Sequence, residues 1–168
     1  MARHRAEQPE AAVPVLDALD RRILEILQAE NQVTNLALAE QVGLSPPPCL
    51  RRVRRLRELG VIARDVAIVD PAKVGHSLIA FVGVELERQR EDMLSGFEAK
   101  MLREPEVQQC YFVSGDNDYL LVVVCADMEG YNRFCRRVLA NDHNIQRFRT
   151  SFNLSRIKYE TAIPLAEG

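Results

Sequence analysis

One stretch constrains this chain more than any other. Gly43-Leu44-Ser45-Pro46-Pro47-Pro48-Cys49 runs directly into Leu50-Arg51-Arg52-Val53-Arg54-Arg55-Leu56-Arg57-Glu58-Leu59-Gly60. A glycine closing one helix, then serine and proline opening the next, spells a tight turn between two helices. Ser45 is the expected N-cap of the second of these, and Pro46 its first residue, where no hydrogen-bond donor is missed. Cys49, Val53, Leu56 and Gly60 recur at helical spacing and predict an inward face. Arg51 and Arg55 then project away from it, with Arg52 and Arg54 on the flanks. Five arginines fall between positions 51 and 57, in a protein whose formal net charge is −2. A basic helix in an acidic protein is a small, aimed anion-binding surface. A helix with one packed face and one cationic face is what entry into a DNA groove requires.

The flanking sequence supplies partners for that helix. Leu16, Leu19, Ile23, Ile26 and Leu27 predict a first helix that Asp17 caps, with Asp20 in its first turn, ending near Glu30-Asn31. Thr34 is the expected cap of a short second helix through Val42, with Leu36, Ala39 and Val42 facing inward. Met1 to Val15 shows no periodicity and is expected to be a mobile tail. Charge divides unevenly: residues 1–63 carry nine basic and eight acidic side chains, residues 64–168 thirteen and sixteen. DNA contact is therefore expected from Thr34, Asn35, Ser45, Pro47, Arg51, Arg52, Arg54 and Arg55.

Val61 to Val69 is rich in Val, Ile and Ala and reads as a strand closed by Asp70-Pro71, the expected linker between two domains. Beyond Ser77 the pattern changes. Strands are expected over Leu78–Leu86, Val107–Val113, Tyr119–Cys125 and Ile145–Leu154, with a further extended piece at Ile157–Ile163. Helices are expected around Met93, Leu94, Phe97 and Met101, and around Tyr131, Phe134, Cys135, Val138 and Leu139 behind an Asp127 cap. The order is βαββαβ, a ferredoxin-like split unit. Two helices cover one face of such a sheet, and the bare face argues for dimerisation. The fold class is thus α+β. A winged-type helix-turn-helix domain (16–62) and a linker strand (63–76) precede an oligomerisation domain (77–164), to which the family resemblance below adds ligand binding.

Composition excludes several alternatives. Hydrophobic residues make up 47% and charged residues 27%, an ordinary globular balance. No apolar run approaches the roughly 20 residues of a membrane span. The first 14 residues lack the apolar core of a signal peptide, so a cytoplasmic protein is expected. Cys49, Cys110, Cys125 and Cys135 show no C-x-x-C spacing, and His4, His76 and His143 form no ligand set, so reduced core thiols and no metal or cofactor are expected. No nucleophile–base pair or phosphate loop points to an enzyme.

Several ordered motifs together resemble one family. These are Leu16-Asp17 with Leu19-Asp20-Arg21-Arg22-Ile23-Leu24, Leu38-Ala39-Glu40-Gln41-Val42-Gly43-Leu44-Ser45, and Pro48-Cys49-Leu50-Arg51-Arg52-Val53-Arg54-Arg55-Leu56. They continue in Gly60-Val61-Ile62, Cys110-Tyr111-Phe112-Val113-Ser114-Gly115-Asp116-Asn117-Asp118-Tyr119-Leu120-Leu121 and Arg149-Thr150-Ser151-Phe152. From about Leu16 to Leu165 the chain resembles the Lrp/AsnC (leucine-responsive, feast-or-famine) bacterial transcription regulators. The resemblance implies a regulator of double-stranded DNA that is cytoplasmic and nucleoid-associated. It also implies a C-terminal RAM-type domain that dimerises, assembles further (octamers are typical of the family) and binds an effector, usually an amino acid. The implied effector residues are Ser114, Gly115, Asp116, Asp118 and Tyr119, with Thr150 and Ser151 from a neighbouring subunit. Two positions depart from the family pattern. Pro47 replaces a small polar residue and makes three consecutive prolines, which are expected to strain the helix start. His143-Asn144 stands where Pro-Gly is common, which predicts a differently shaped turn. The competing readings are an effector-independent architectural DNA-binding protein and, from another class, a metabolic enzyme.

Overall fold

The computed structural model describes residues 13–165; most of the expected N-terminal tail, residues 1–12, lies outside them. The described residues divide into two compact units, one formed by residues 13–67 with 159–165, the other by residues 68–158.

The first unit holds three helices: α1 (Ala18–Ala29), α2 (Asn35–Gln41) and α3 (Pro46–Glu58). Asp17 caps α1 in a reciprocal box with Asp20. Thr34 caps α2 through its hydroxyl, which accepts from the Ala37 amide at 3.2 Å. Gly43 takes φ +71° between α2 and α3, the left-handed turn expected of it. Ile23, Leu38, Ala39, Cys49, Val53 and Leu56 close one core. Two inward assignments change. Leu36 is 67% exposed, and Leu38 takes its place beside Ala39. Gly60 lies past the end of α3, exposed, with φ +72°.

Three prolines do not break the start of α3, which begins at Pro46. The first N–H groups of any helix have no acceptor within it, so prolines there forfeit nothing. The expected strand at Val61–Val69 does not form: this stretch is irregular and exposed from Ala63 onward. Its composition suits a strand, but among the described residues no strand pairs with it. Pro71–Val74 is one 3-10 turn rather than extended linker.

The second unit is a four-stranded antiparallel sheet in the order β2-β3-β1-β4, built from β1 (Leu78–Leu86), β2 (Val107–Phe112), β3 (Tyr119–Cys125) and β4 (Ile145–Phe152). Helices α4 (Glu91–Met101) and α5 (Met128–Phe134) lie on one face, and α5 continues into a π-helical turn over Cys135–Leu139. This is the expected split βαββαβ arrangement. Ala80, Val82 and Val84 of β1 and Leu121 and Val123 of β3 meet Phe97, Phe134, Val138 and Leu139 in the second core. The alternate residues face the open side, where Phe81, Leu120 and Tyr111 stay 49%, 42% and 53% exposed.

One further expectation is revised. Residues 157–163 form no strand. The segment instead reaches the first unit, where the Gln28 side chain both donates to the Ile163 carbonyl (3.1 Å) and accepts from its amide (2.6 Å). Leu165 packs against the first core. At His143-Asn144 the second residue holds the turn in place. The Asn144 carboxamide accepts from the Arg88 amide at 3.1 Å and donates to the Arg88 carbonyl at 3.0 Å, tying the entry of β4 to the exit of β1.

Candidate DNA interface and effector turn

The arginines of α3 sort into two sets. Asp20 of α1 is 1% exposed, and its carboxylate takes Arg52 Nη1 at 2.8 Å on one oxygen and Arg55 Nη2 at 3.1 Å on the other. Arg52 also meets Asp17 at 2.7 Å, and Arg55 donates to the Val15 carbonyl at 3.3 Å. Arg52 and Arg55, expected to contact DNA, are therefore committed to holding α3 against α1. A buried carboxylate demands such partners, because leaving water uncompensated costs several kcal/mol. Asn35 is spent similarly: its amide donates to the Pro46 carbonyl at 3.1 Å, pinning α2 to the start of α3.

What remains is one stripe. Pro47, Arg51 and Arg54 stand at i, i+4 and i+7 along α3 and are exposed. Neither Arg51 nor Arg54 has an ion pair among the described residues. Ser45 and Thr34 are exposed nearby in sequence. Ser45 occupies the N-cap position without a capping hydrogen bond. The reason lies in the sequence: an N-cap side chain accepts from the second or third amide of its helix, and here both belong to prolines, Pro47 and Pro48. The proline run that removes a polar side chain at position 47 thus releases the hydroxyl of Ser45.

The effector turn divides in the same manner. Ser114, Gly115 and Asp116 are exposed, and Gly115 takes φ +123°. Asp118 is 9% exposed, and its carboxylate accepts from the Leu86 amide at 2.7 Å and the Gln89 side chain at 2.6 Å. Tyr119 is 1% exposed, with its hydroxyl donating to Glu98 at 2.9 Å and its ring 4.6 Å from that of Phe97. Thr150 is paired through its hydroxyl with Tyr131 under the sheet. These three, expected as effector contacts, are turned into the scaffold; Ser151 alone of the β4 pair is exposed. Asn117, which the sequence reading left out, folds its carboxamide over Gly83 of β1. A Cβ at Gly83 would lie 2.5 Å from Asn117 Oδ1, so the glycine is what lets the turn lie down on the open sheet face. Glycine in mid-strand was the available signal.

Of the expected core thiols, Cys49 and Cys125 are buried, while Cys110 is exposed at the edge strand. Burial pushes the Cys49 thiol above its usual range. Among the described residues no group of His, Cys, Asp and Glu could hold a metal, and no helix is long and apolar enough to cross a membrane.

A helix-turn-helix unit with an unpaired cationic stripe, joined to a sheet unit with an exposed glycine-bearing turn, defines the class of transcription regulators that couple DNA binding to a sensory domain. Comparison with known proteins agrees. Residues 16–63 match the winged helix-turn-helix DNA-binding family and residues 79–163 the Lrp/AsnC ligand binding domain. The chain belongs to the Lrp/AsnC family of transcriptional regulators. It is 42% identical over 150 residues to an uncharacterised HTH-type transcriptional regulator of Sinorhizobium fredii, covering 89% of each chain. It is 38% identical over 143 residues to the leucine-responsive regulatory protein of Rhizobium meliloti, covering 85% of this chain and 92% of that one. Among solved structures, a Neisseria meningitidis transcriptional regulator in complex with L-Met superposes with a TM-score of 0.85 at 37% identity, covering 89% of this chain and 97% of that one.

Two outcomes test the sorting of charges. Arg52→Ala removes one of the two guanidiniums on the buried Asp20 carboxylate, leaving Arg55, and is expected to cost roughly 2–3 kcal/mol in urea unfolding, whereas Arg51→Ala and Arg54→Ala should stay within about 0.5 kcal/mol of the parent. Equal stabilities for all three would remove the clamp. Asp17 gives the pH arm. The Asp20 amide and then Arg52 hold its carboxyl below its usual 3.8. Stability from a depressed carboxyl is complete above the unfolded value and lost as pH falls through the folded one. Asp17→Asn should therefore flatten the decline of melting temperature below about pH 4 and leave its slope near neutrality unchanged.

Proposed function

We propose that this protein is a sequence-specific regulator whose assembly and DNA binding respond to an amino acid. The observation that carries the DNA half is the exposed Pro47–Arg51–Arg54 stripe with its two unpaired guanidiniums. In this reading Arg51 faces base edges, Arg54 takes backbone phosphate, and the hydroxyls of Ser45 and Thr34 reach the phosphates beside them. Arg52, Arg55 and Asn35 set the angle of α3 without touching DNA. Pro47 offers the groove an apolar surface, which favours contact with a thymine methyl. Arg51→Ala should relax sequence preference at a cost of about 1–3 kcal/mol, and Arg54→Ala should weaken specific and scrambled DNA alike in gel shifts.

The sensing half rests on the exposed part of the 114–117 turn. Backbone amides beside Gly115 suit a carboxylate, and Asp116 suits an ammonium group. Ser114, Asn117 and a neighbouring subunit's Ser151 complete the contacts. The related Neisseria regulator, solved with L-Met, supports an amino acid as the class of ligand. Asp118, Tyr119 and Thr150 hold this turn in shape from below. A thermal-shift screen of the amino acids identifies the effector. For that amino acid, Asp116→Ala should weaken binding at least tenfold and leave DNA affinity without effector within about threefold. Asp118→Ala should instead lower the melting temperature of the free protein. DNA binding insensitive to every amino acid would favour a purely architectural role. No turnover of amino acids is expected.

Assembly is assigned to the open sheet face. Phe81, Leu120 and Tyr111 form an apolar surface that a second copy would cover, with the Glu85–Arg147 ion pair at one margin. An effector at a junction between dimers is linked to assembly with reciprocal coupling, and the assembly spaces the α3 helices along DNA in the cytoplasm. Phe81→Asp, placing a charge in that surface, should yield monomers in sedimentation velocity at micromolar concentration. A dimer that survives it is held elsewhere, with residues 61–69 the first place to look.

A further inference from the structure

The second unit carries an open cleft of about 700 Å3 that neither DNA binding nor amino-acid sensing uses. Three guanidiniums line it: Arg133 on α5, and Arg136 and Arg137 on the π-helical turn. Their i, i+3, i+4 spacing places them on one side of the helix. Among the described residues Glu106 is the one carboxylate of the lining, and Glu129 and Glu104 stand beside it on Arg133 and Arg137, which leaves Arg136 as the uncompensated charge.

The three arginines differ in how they are held. Arg137 is fixed, donating to Glu104 and, at 2.7 Å, to Glu106 Oε1. Arg133 is tethered only to Glu129, in a pair whose side chains are 65% and 82% exposed and which an anion can displace. Arg136 is exposed and has no hydrogen bond or ion pair among the described residues. Two further groups are left unmatched. Glu106 Oε2 is buried with no partner, an acceptor awaiting a donor. His76, at the cleft margin, engages the Val74 carbonyl through Nδ1 and leaves Nε2 open.

We propose that this cleft binds a small phosphate monoester that also carries a hydroxyl or amino group. The phosphate lies between Arg136 and Arg133, both able to make charge-assisted bonds, and Gly130 leaves the wall beside them free of a side chain. Oε2 is shut off from solvent in the unliganded cleft, so on binding the Glu106 carboxylate turns to bring it to the ester's donor, and a bare phosphate binds less well than a hydroxylated ester. The site is separate from the 114–117 turn and is a second input to the same regulator.

The test uses the full-length protein, with glycerol 3-phosphate, inorganic phosphate and glycerol as probes, read by calorimetry and thermal shift. Glycerol 3-phosphate should bind more tightly than inorganic phosphate, and glycerol should give no signal. Arg136→Glu should weaken glycerol 3-phosphate at least tenfold while keeping the melting temperature and the amino-acid response of the parent. Glu106→Gln should narrow the preference for the ester over phosphate. The proposal is overturned if sodium chloride at equal ionic strength reproduces the shift, or if Arg136→Glu binds as the parent does. It is equally overturned if Arg136→Glu lowers only DNA affinity, which would make this face a contact for the DNA backbone. Each of these results leaves the amino-acid reading standing, because that reading depends on Asp116 and the exposed turn.

Discussion

The buried carboxylate of Asp20 is the constraint on which the DNA-binding unit turns. At 1% exposure it must be matched by cations, and Arg52 and Arg55 are the ones α3 supplies. Two guanidiniums bound to one carboxylate fix both the rotation of α3 about its axis and its position along α1. That rotation decides which arginines are left over. Positions 52 and 55 are consumed, so 51 and 54 face outward, with Pro47 one turn earlier on the same stripe. The cationic surface left exposed on α3 is therefore a remainder, defined by what the packing of the helix has already claimed.

The sheet unit follows a similar logic. Period-two alternation commits Val82, Val84, Leu121 and Val123 to the helix-covered core and leaves Phe81, Leu120 and Tyr111 on the open side. The turn after β2 is drawn down onto that open side. Asp118 anchors it to the Leu86 amide and Gln89, Tyr119 enters the core beneath it, and Asn117 rests on the bare backbone of Gly83. Those anchors present Ser114, Gly115 and Asp116 outward. Exposed and buried polar residues thus stand within six positions of one turn.

The expectations that changed did so for identifiable reasons. Val61–Val69 has the composition of a strand, but β structure needs a partner, and among the described residues none pairs with it. Leu36 and Leu38 both fit a helical period, and only the approach of the neighbouring helices selects Leu38. Asp118 stands among the implied effector residues, yet the groups its carboxylate binds are 32 and 29 residues away in sequence. The final stretch, 159–165, reads as a continuation of the sheet unit and instead joins the first unit through Gln28.

Short-range physics was legible in the sequence alone. The caps at Asp17, Thr34 and Asp127, the left-handed Gly43, the helical and strand periods, the βαββαβ order and the helix-turn-helix grammar all depend on neighbours within a few residues. Even the idle hydroxyl of Ser45 follows from two prolines beside it. Tertiary structure decided how each polar side chain is used. Whether an arginine clamps or reaches, and whether an aspartate anchors or binds, depends on a partner brought close by folding: Asp20 to Arg52, Asp118 to Leu86, Glu106 to Arg137. A sequence specifies which charges exist, but the desolvation that obliges some of them to pair arises only when the chain has packed.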